Sequence, residues 1–138
     1  GLSTDLRLVT LAREAADALA LEPWPEAYRL PVHPPGGAVR VHVGPVASGD
    51  IWLQDPAWLE ATHQRTGSLC EDMEAAAIAQ IAALHDVPFL TIKDISNNEF
   101  HVTSTFIGTE SGLPLPEVGK RAVAVAVATL DRLAEDAA

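Results

Sequence analysis

Cysteine is almost absent from this sequence: Cys70 is the only one among 138 residues. An intrachain disulfide is therefore excluded, and a reducing compartment such as the cytoplasm is predicted. No apolar run approaches the roughly 18–20 residues that span a bilayer. No basic segment followed by an apolar stretch opens the sequence, so no signal peptide is predicted. Aromatic residues are also few, at 5%.

Positive charge is scarce, with 9 lysines and arginines against 19 aspartates and glutamates, which gives a net charge of −10. A surface of this charge repels phosphate backbones and anionic lipids, which argues against nucleic acid or a membrane as the main partner. The five histidines are scattered without metal-ligand spacing, so no metal site is predicted. Walker A and G-x-S-x-G motifs are also absent. What is present is 48% hydrophobic residues, enough to bury a core.

Helical and extended patterns alternate along the chain. Helices are predicted over 5–21, 56–66, 73–85 and 116–135, and strands over 39–43 and 87–92, with a short extended piece at 68–71. In the last helix valine and alanine alternate as in a strand, but its length and polar ends favour a helix. The alternation of helices and strands along the chain predicts an α/β fold with helices on both faces of a parallel or mixed sheet. Three strands are fewer than the five or six of a usual doubly wound sheet, which suggests that part of the sheet lies outside this sequence.

Polar groups follow the extended segments, where an α/β sheet places its ligands. Glu71, Asp72 and Glu74 are three carboxylates within four residues. They suit a helix N-terminus, and an ionised glutamate can equally accept both hydroxyls of a vicinal diol. Met73 beside them would form an adaptable apolar wall.

Two further segments allow both a structural and a functional interpretation. Asp94, Ser96 and Asn97 can build a turn, or can offer polar contacts to a heterocycle, where an amide suits N7 of a purine. Trp52 after the Gly49-Asp50 turn is either a core or rim aromatic or a stacking face for a planar base.

Three motifs resemble, in order, those of the purine nucleoside phosphorylase and nucleosidase superfamily. They are S-G-D-I-W (48–52), E-D-M-E-A-A-A-I-A (71–79) and V-P-F-L-T-I-K-D-I-S-N (87–97). The branch that they resemble most is methylthioadenosine/S-adenosylhomocysteine nucleosidase, which implies a three-layer α/β/α fold with a mixed sheet. The resemblance implies hydrolysis of the bond between purine and ribose, without a cofactor. The implied partners are a small purine nucleoside and a second copy of the chain.

The resemblance also implies roles for single residues. Trp52, with Ile51 before it, stands where the family stacks a Phe on the purine. Met73 and Glu74 match the pair that contacts ribose, and Asp72 is a conservative change from the family's Glu. The base-contacting residues are then Ser96 and Asn97.

Two departures from the family bear on the chemistry. Asn97 stands where nucleosidases have the Asp that protonates N7, and a neutral amide cannot transfer a proton. Either the preference shifts to 6-oxopurines, whose phosphorylases have Asn here, or the rate falls, or Asp94 or water supplies the proton. Asp94 also replaces an apolar residue of the family, and an ion pair with Lys93 or Arg40 is its structural alternative.

The other departure is length. No segment matches the family's first strands, glycine-rich turn, water-activating acid or anion-binding loop. Residues 1–138 are therefore expected to form the C-terminal half of one nucleoside phosphorylase-like domain, which would associate with an N-terminal half. A phosphate-dependent phosphorylase and a non-catalytic member of the fold remain open alternatives to the nucleosidase.

Overall fold

A computed structural model of the chain describes residues 2–29, 33–96, 98–100 and 117–136. Within these residues it contains four α-helices, two short strands and two 3-10 turns. In chain order they are α1 (Leu6–Ala18), 3-10 turns at Glu26–Tyr28 and Pro35–Gly37, β1 (Val46–Ser48), α2 (Pro56–Thr66), β2 (Cys70–Asp72), α3 (Ala75–Leu84) and α4 (Lys120–Asp136).

The chain divides into two compact units. The first comprises Gly1–Thr10 and Val43–Thr91, and the second comprises Leu11–His42 and Ile92–Ala138. The first unit therefore contains both strands together with α2 and α3, and the second contains α4.

The first unit is built on a parallel strand pair. β1 and β2 are in register from Val46 opposite Cys70 to Ser48 opposite Asp72. Parallel strands need a crossover connection, and α2 lies in the segment that links them. Because both strands run in the same direction, the segments that follow Ser48 and Asp72 leave the sheet at the same edge.

The ends of α2 follow the sequence prediction closely. The Asp55 side chain accepts a hydrogen bond from the amide of Ala57, and Pro56 occupies the first helical position. Gly67 ends the helix in the left-handed region at φ 69°, and its amide donates to the carbonyl of His63 at 2.7 Å. Glycine is favoured there because it lacks the Cβ that would clash.

α3 also ends at a left-handed residue, which here is not a glycine. The Val87 amide donates to the Ala82 carbonyl at 2.9 Å, and the Asp86 amide donates to the Ala83 carbonyl at 3.4 Å. These two bonds form a Schellman motif, which needs a left-handed residue just past the helix. Asp86 fills that position at φ 53°.

The second unit has a buried arginine at its centre. Arg121, in the first turn of α4, is only 2% exposed. Its guanidinium donates from Nε to the Glu22 carbonyl at 2.8 Å and from Nη2 to the Pro23 carbonyl at 3.2 Å. The same group lies 4.2 Å from the centroid of the Trp24 ring, a cation–π contact. The arginine thus joins the start of α4 to the segment after α1.

Trp24 also stacks on His33, with ring centroids 5.2 Å apart and the planes 7° from parallel. Burial and the charges of Arg121 and Arg29 lower the pKa of His33 below its ordinary 6.5. At the surface nearby, Lys120 pairs with Glu22, which raises the pKa of the lysine and lowers the pKa of the glutamate.

Two predicted strands are not strands in the structure. Residues 39–43 and 87–92 carry no strand assignment, whereas Val46–Ser48, where no strand is predicted from the sequence, forms β1. Alternating valines mark a segment that can be extended, but a strand also needs a hydrogen-bonded neighbour. Val46–Ser48 has β2 as that neighbour. The four predicted helices are confirmed, and their described ends lie within a few residues of the predicted ones. α4 is helical despite its alternating valine and alanine residues. Pro116, the predicted start of that helix, lies outside the described residues.

Candidate functional site

The two polar segments that follow β1 and β2 lie against each other. The Gly49 amide donates to the Asp72 carbonyl at 3.1 Å, which extends the strand pairing by one bond. The chain then turns tightly, with the Ile51 amide donating to the Gly49 carbonyl at 2.8 Å. The Ser48–Trp52 turn and the start of α3 are therefore neighbours in the first unit.

Two side chains from this strand edge bind the first amides of α3. The Asp72 Oδ1 accepts from the Ala75 amide at 3.1 Å, and the Ser48 Oγ accepts from the Ala76 amide at 2.9 Å. Amides in the first turn of a helix have no partner within the helix, so these bonds stabilise its start. Asp72, predicted to contact substrate, thus has a structural role in capping α3.

Glu71 links the turn to β2 from the other side. Its Oε1 accepts a hydrogen bond from the Leu53 amide at 3.2 Å. Leu53 directly follows Trp52, so this bond fixes the backbone next to the indole. Ser48 and Glu71 are therefore positioning residues, a role that nothing in the sequence pattern indicates although both lie inside the first two motifs.

Three of the predicted substrate-contacting side chains of this unit, those of Ile51, Met73 and Glu74, are exposed. Ile51 is 60% exposed and Met73 is 48% exposed. Glu74 is exposed and Trp52 is half-buried. The Glu74 Oε2 accepts from the Met73 amide at 3.3 Å, at the positive end of the α3 dipole. This edge of the sheet thus presents a carboxylate, an indole and a thioether, which suit a sugar diol and a planar ring.

The third predicted segment belongs to the second unit. The Asp94 Oδ2 accepts a hydrogen bond from the backbone amide of Arg121 at 3.1 Å, and Ser96 is half-buried. Asn97 lies outside the described residues. The roles predicted for Asp94, Ser96 and Asn97 remain predictions.

A cavity of about 310 Å³ adjoins Asp94 in the second unit. It is lined by Lys93 and Asp94 and by residues of the first turns of α4, such as Ala122 and Val123.

Across the described ranges, no group of three His, Cys, Asp or Glu side chains could hold a metal ion. None of the helices that the structure describes is both long and apolar enough to cross a membrane.

Comparison with known proteins gives consistent matches. The chain is similar to the 5'-methylthioadenosine/S-adenosylhomocysteine nucleosidase of Geobacillus sp. (strain WCH70), at 39% identity over 69 residues, which cover 47% of this chain and 30% of that protein. It is similar to the enzyme of the same name from Chromohalobacter salexigens, at 34% identity over 94 residues, covering 67% of this chain and 33% of the relative. A third, from Thermotoga maritima, is 33% identical over 91 residues, covering 61% and 42%.

The chain thus spans between 30% and 42% of the length of these three curated relatives. No solved structure matches it. The model of the phosphorylase superfamily matches residues 2–133, nearly the whole chain. By that match the chain belongs to the phosphorylase superfamily.

Proposed function

We propose that the protein is a purine nucleoside N-glycosidase that hydrolyses the base–ribose bond of methylthioadenosine or S-adenosylhomocysteine. Relatives of 33–39% identity carry the name of that nucleosidase. The observation that carries the proposal is the parallel register of β1 and β2, with Ser48 opposite Asp72. It brings the Trp52 turn and the Met73-Glu74 pair, from motifs 19 residues apart, to one sheet edge.

In this proposal Glu74 binds the ribose. An ionised carboxylate has two oxygens and no proton to donate, so it can accept from the 2′- and 3′-hydroxyls together. The Glu74 side chain is exposed to solvent, where a ligand can approach it. Ile51 and Met73 then supply apolar surface beside the sugar, and Trp52 stacks on the base.

Ser96 and Asn97 are proposed to contact the purine edge. The leaving base accumulates negative charge as the bond breaks, and a hydrogen bond to N7 lowers that barrier. An amide at Asn97 can donate to N7 but cannot transfer a proton. The same residue supports the second candidate, a phosphorylase acting on 6-oxopurines, which accept that hydrogen bond without needing a proton from the protein.

We further propose that residues 1–138 are the C-terminal half of one three-layer α/β/α domain with a mixed sheet. Three large apolar side chains of α3 support a partner surface, because Ile78, Ile81 and Leu84 are 58%, 58% and 76% exposed. The proposed partner is an N-terminal half of the fold or a second copy of the chain. The single cysteine supports a reducing, cytoplasmic location.

The experiment is a time course of free base released from methylthioadenosine and from inosine by the full-length protein, with and without phosphate. Base release from methylthioadenosine that does not depend on phosphate is the expected result. Release that requires phosphate would establish the phosphorylase instead. Adenine that binds without any turnover of nucleoside would identify a non-catalytic member of the fold.

The matched variants are Glu74→Gln and Glu60→Gln. Glu60 is an exposed carboxylate on α2 that accepts a hydrogen bond from Gln64. We expect E74Q to lose most of kcat/KM, since the neutral amide is a weaker acceptor and points one donor at the diol. E60Q should match the wild type. Wild-type kcat/KM in E74Q would contradict the ribose role.

A further inference from the structure

We propose that Asp94 is a positioning residue that fixes residues 94–96 to the start of α4, and that it is not the proton donor. The carboxylate accepts a hydrogen bond from the Arg121 backbone amide at 3.1 Å. Arg121 is the second residue of α4, and its amide is one of those with no partner inside the helix. Asp94 therefore caps α4 from a segment 27 residues away in the sequence.

The capped amide belongs to a buried residue whose side chain makes several contacts. The Arg121 side chain is 2% exposed and donates to the carbonyls of Glu22 and Pro23, while its guanidinium lies over Trp24. The Glu117 carboxylate is a further acceptor at 3.4 Å. A residue held by this many contacts has little freedom, and a carboxylate bonded to its backbone is fixed with it.

Asp94 lies close in sequence to the residues proposed to contact the base, so its bond to α4 bears on catalysis. Ser96 and Asn97 follow two and three residues later, and these are the residues proposed to contact the base. The functional part of the inference thus rests on the proposed function. A displacement of about 1 Å at a reacting group can cost about a hundredfold in rate, so a fixed segment at this point matters for catalysis.

Two substitutions of Asp94 distinguish a positioning role from a proton-donor role. Asparagine is as good a helix N-cap as aspartate, because its amide oxygen accepts the same bond. It cannot act as a general acid in the way that a carboxyl group does. Asp94→Asn should therefore preserve a positioning role and abolish a proton-donor role, whereas Asp94→Ala removes both.

The test compares D94N, D94A and the control D131A in the full-length protein. Asp131 is an exposed aspartate further along α4. The first readout is amide hydrogen exchange across residues 94–96 and 117–123, which needs no activity. We expect D94A to speed exchange there by about fivefold or more, the factor that a typical N-cap contributes. D94N and D131A should exchange like the wild type.

The second readout is kcat, KM and the pH profile of base release. D94A should lose between about tenfold and about a hundredfold in kcat/KM. D94N should stay within about twofold of the wild type and keep the shape of its pH profile. Loss of activity in D94N with wild-type exchange would establish the proton-donor role and overturn the inference, as would wild-type exchange in D94A. If the wild type releases no base, the proposed function fails, while the exchange readout still decides on Asp94.

Discussion

The bond between Ser48 and α3 allows a quantitative test of how the strand edge is held. The Ser48 Oγ accepts from the Ala76 amide at 2.9 Å, and both groups are partly buried. Ser48→Ala leaves that first-turn amide without its acceptor. Loss of an N-cap acceptor costs about 0.5–2 kcal/mol, with about 1 kcal/mol typical. For a chain of this size we expect the melting temperature to fall by about 2–6 °C.

The assay is thermal unfolding followed by circular dichroism, with two controls. Ser48→Thr keeps the hydroxyl and should retain most of the stability. Thr10→Ala removes an exposed hydroxyl that donates within α1 to the Leu6 carbonyl, so its melting temperature should be unchanged or higher. A melting temperature for S48A equal to that of the wild type would refute the contribution assigned to this bond.

Three other changes have predicted outcomes. Asp86→Gly should stabilise the protein by up to about 1 kcal/mol, because glycine adopts φ 53° without a Cβ clash. Asp86→Ala should destabilise it. Urea unfolding measures both changes, and the opposite order would contradict the Schellman assignment. His33 has a lowered pKa, so the unfolded chain binds its proton more readily and stability should fall as pH drops below about 6.5. His33→Phe keeps a ring on Trp24 and should flatten the fall in melting temperature between about pH 7 and about pH 5; an unchanged slope would refute the role of His33. Trp52→Ala should raise KM for nucleoside by about tenfold through lost stacking, and Trp52→Phe should restore it, whereas an equal loss in both would argue against stacking.

The sequence predicts local features of this fold well. The Asp55-Pro56 start and Gly67 stop place α2 at its observed bounds, because cap chemistry acts over a few neighbouring residues. The strands are less predictable, since residues 39–43 alternate better than 46–48 yet only the latter pairs with β2. Pairing depends on a distant segment, and periodicity carries no information about it.

In the candidate site, too, local motifs are visible in the sequence and contacts between distant residues are not. The motifs predict that Trp52, Met73 and Glu74 contact the substrate, and the structure brings their segments together at one edge, while their roles stay predictions. The contact between Asp94 and the Arg121 amide is not visible in the sequence, because it joins residues 27 positions apart through a backbone group. In the sequence Arg121 is one of the polar residues near the ends of the last predicted helix, yet in the structure it is buried.

The central proposal is that Trp52 and Glu74, at one edge of the strand pair, hold one purine nucleoside. A crystal structure of the full-length protein with a non-hydrolysable methylthioadenosine analogue tests it most directly. We expect the indole to lie against the base and the Glu74 carboxylate to lie within hydrogen-bond distance of both ribose hydroxyls. An analogue bound with either side chain beyond reach of its assigned group would contradict the proposal.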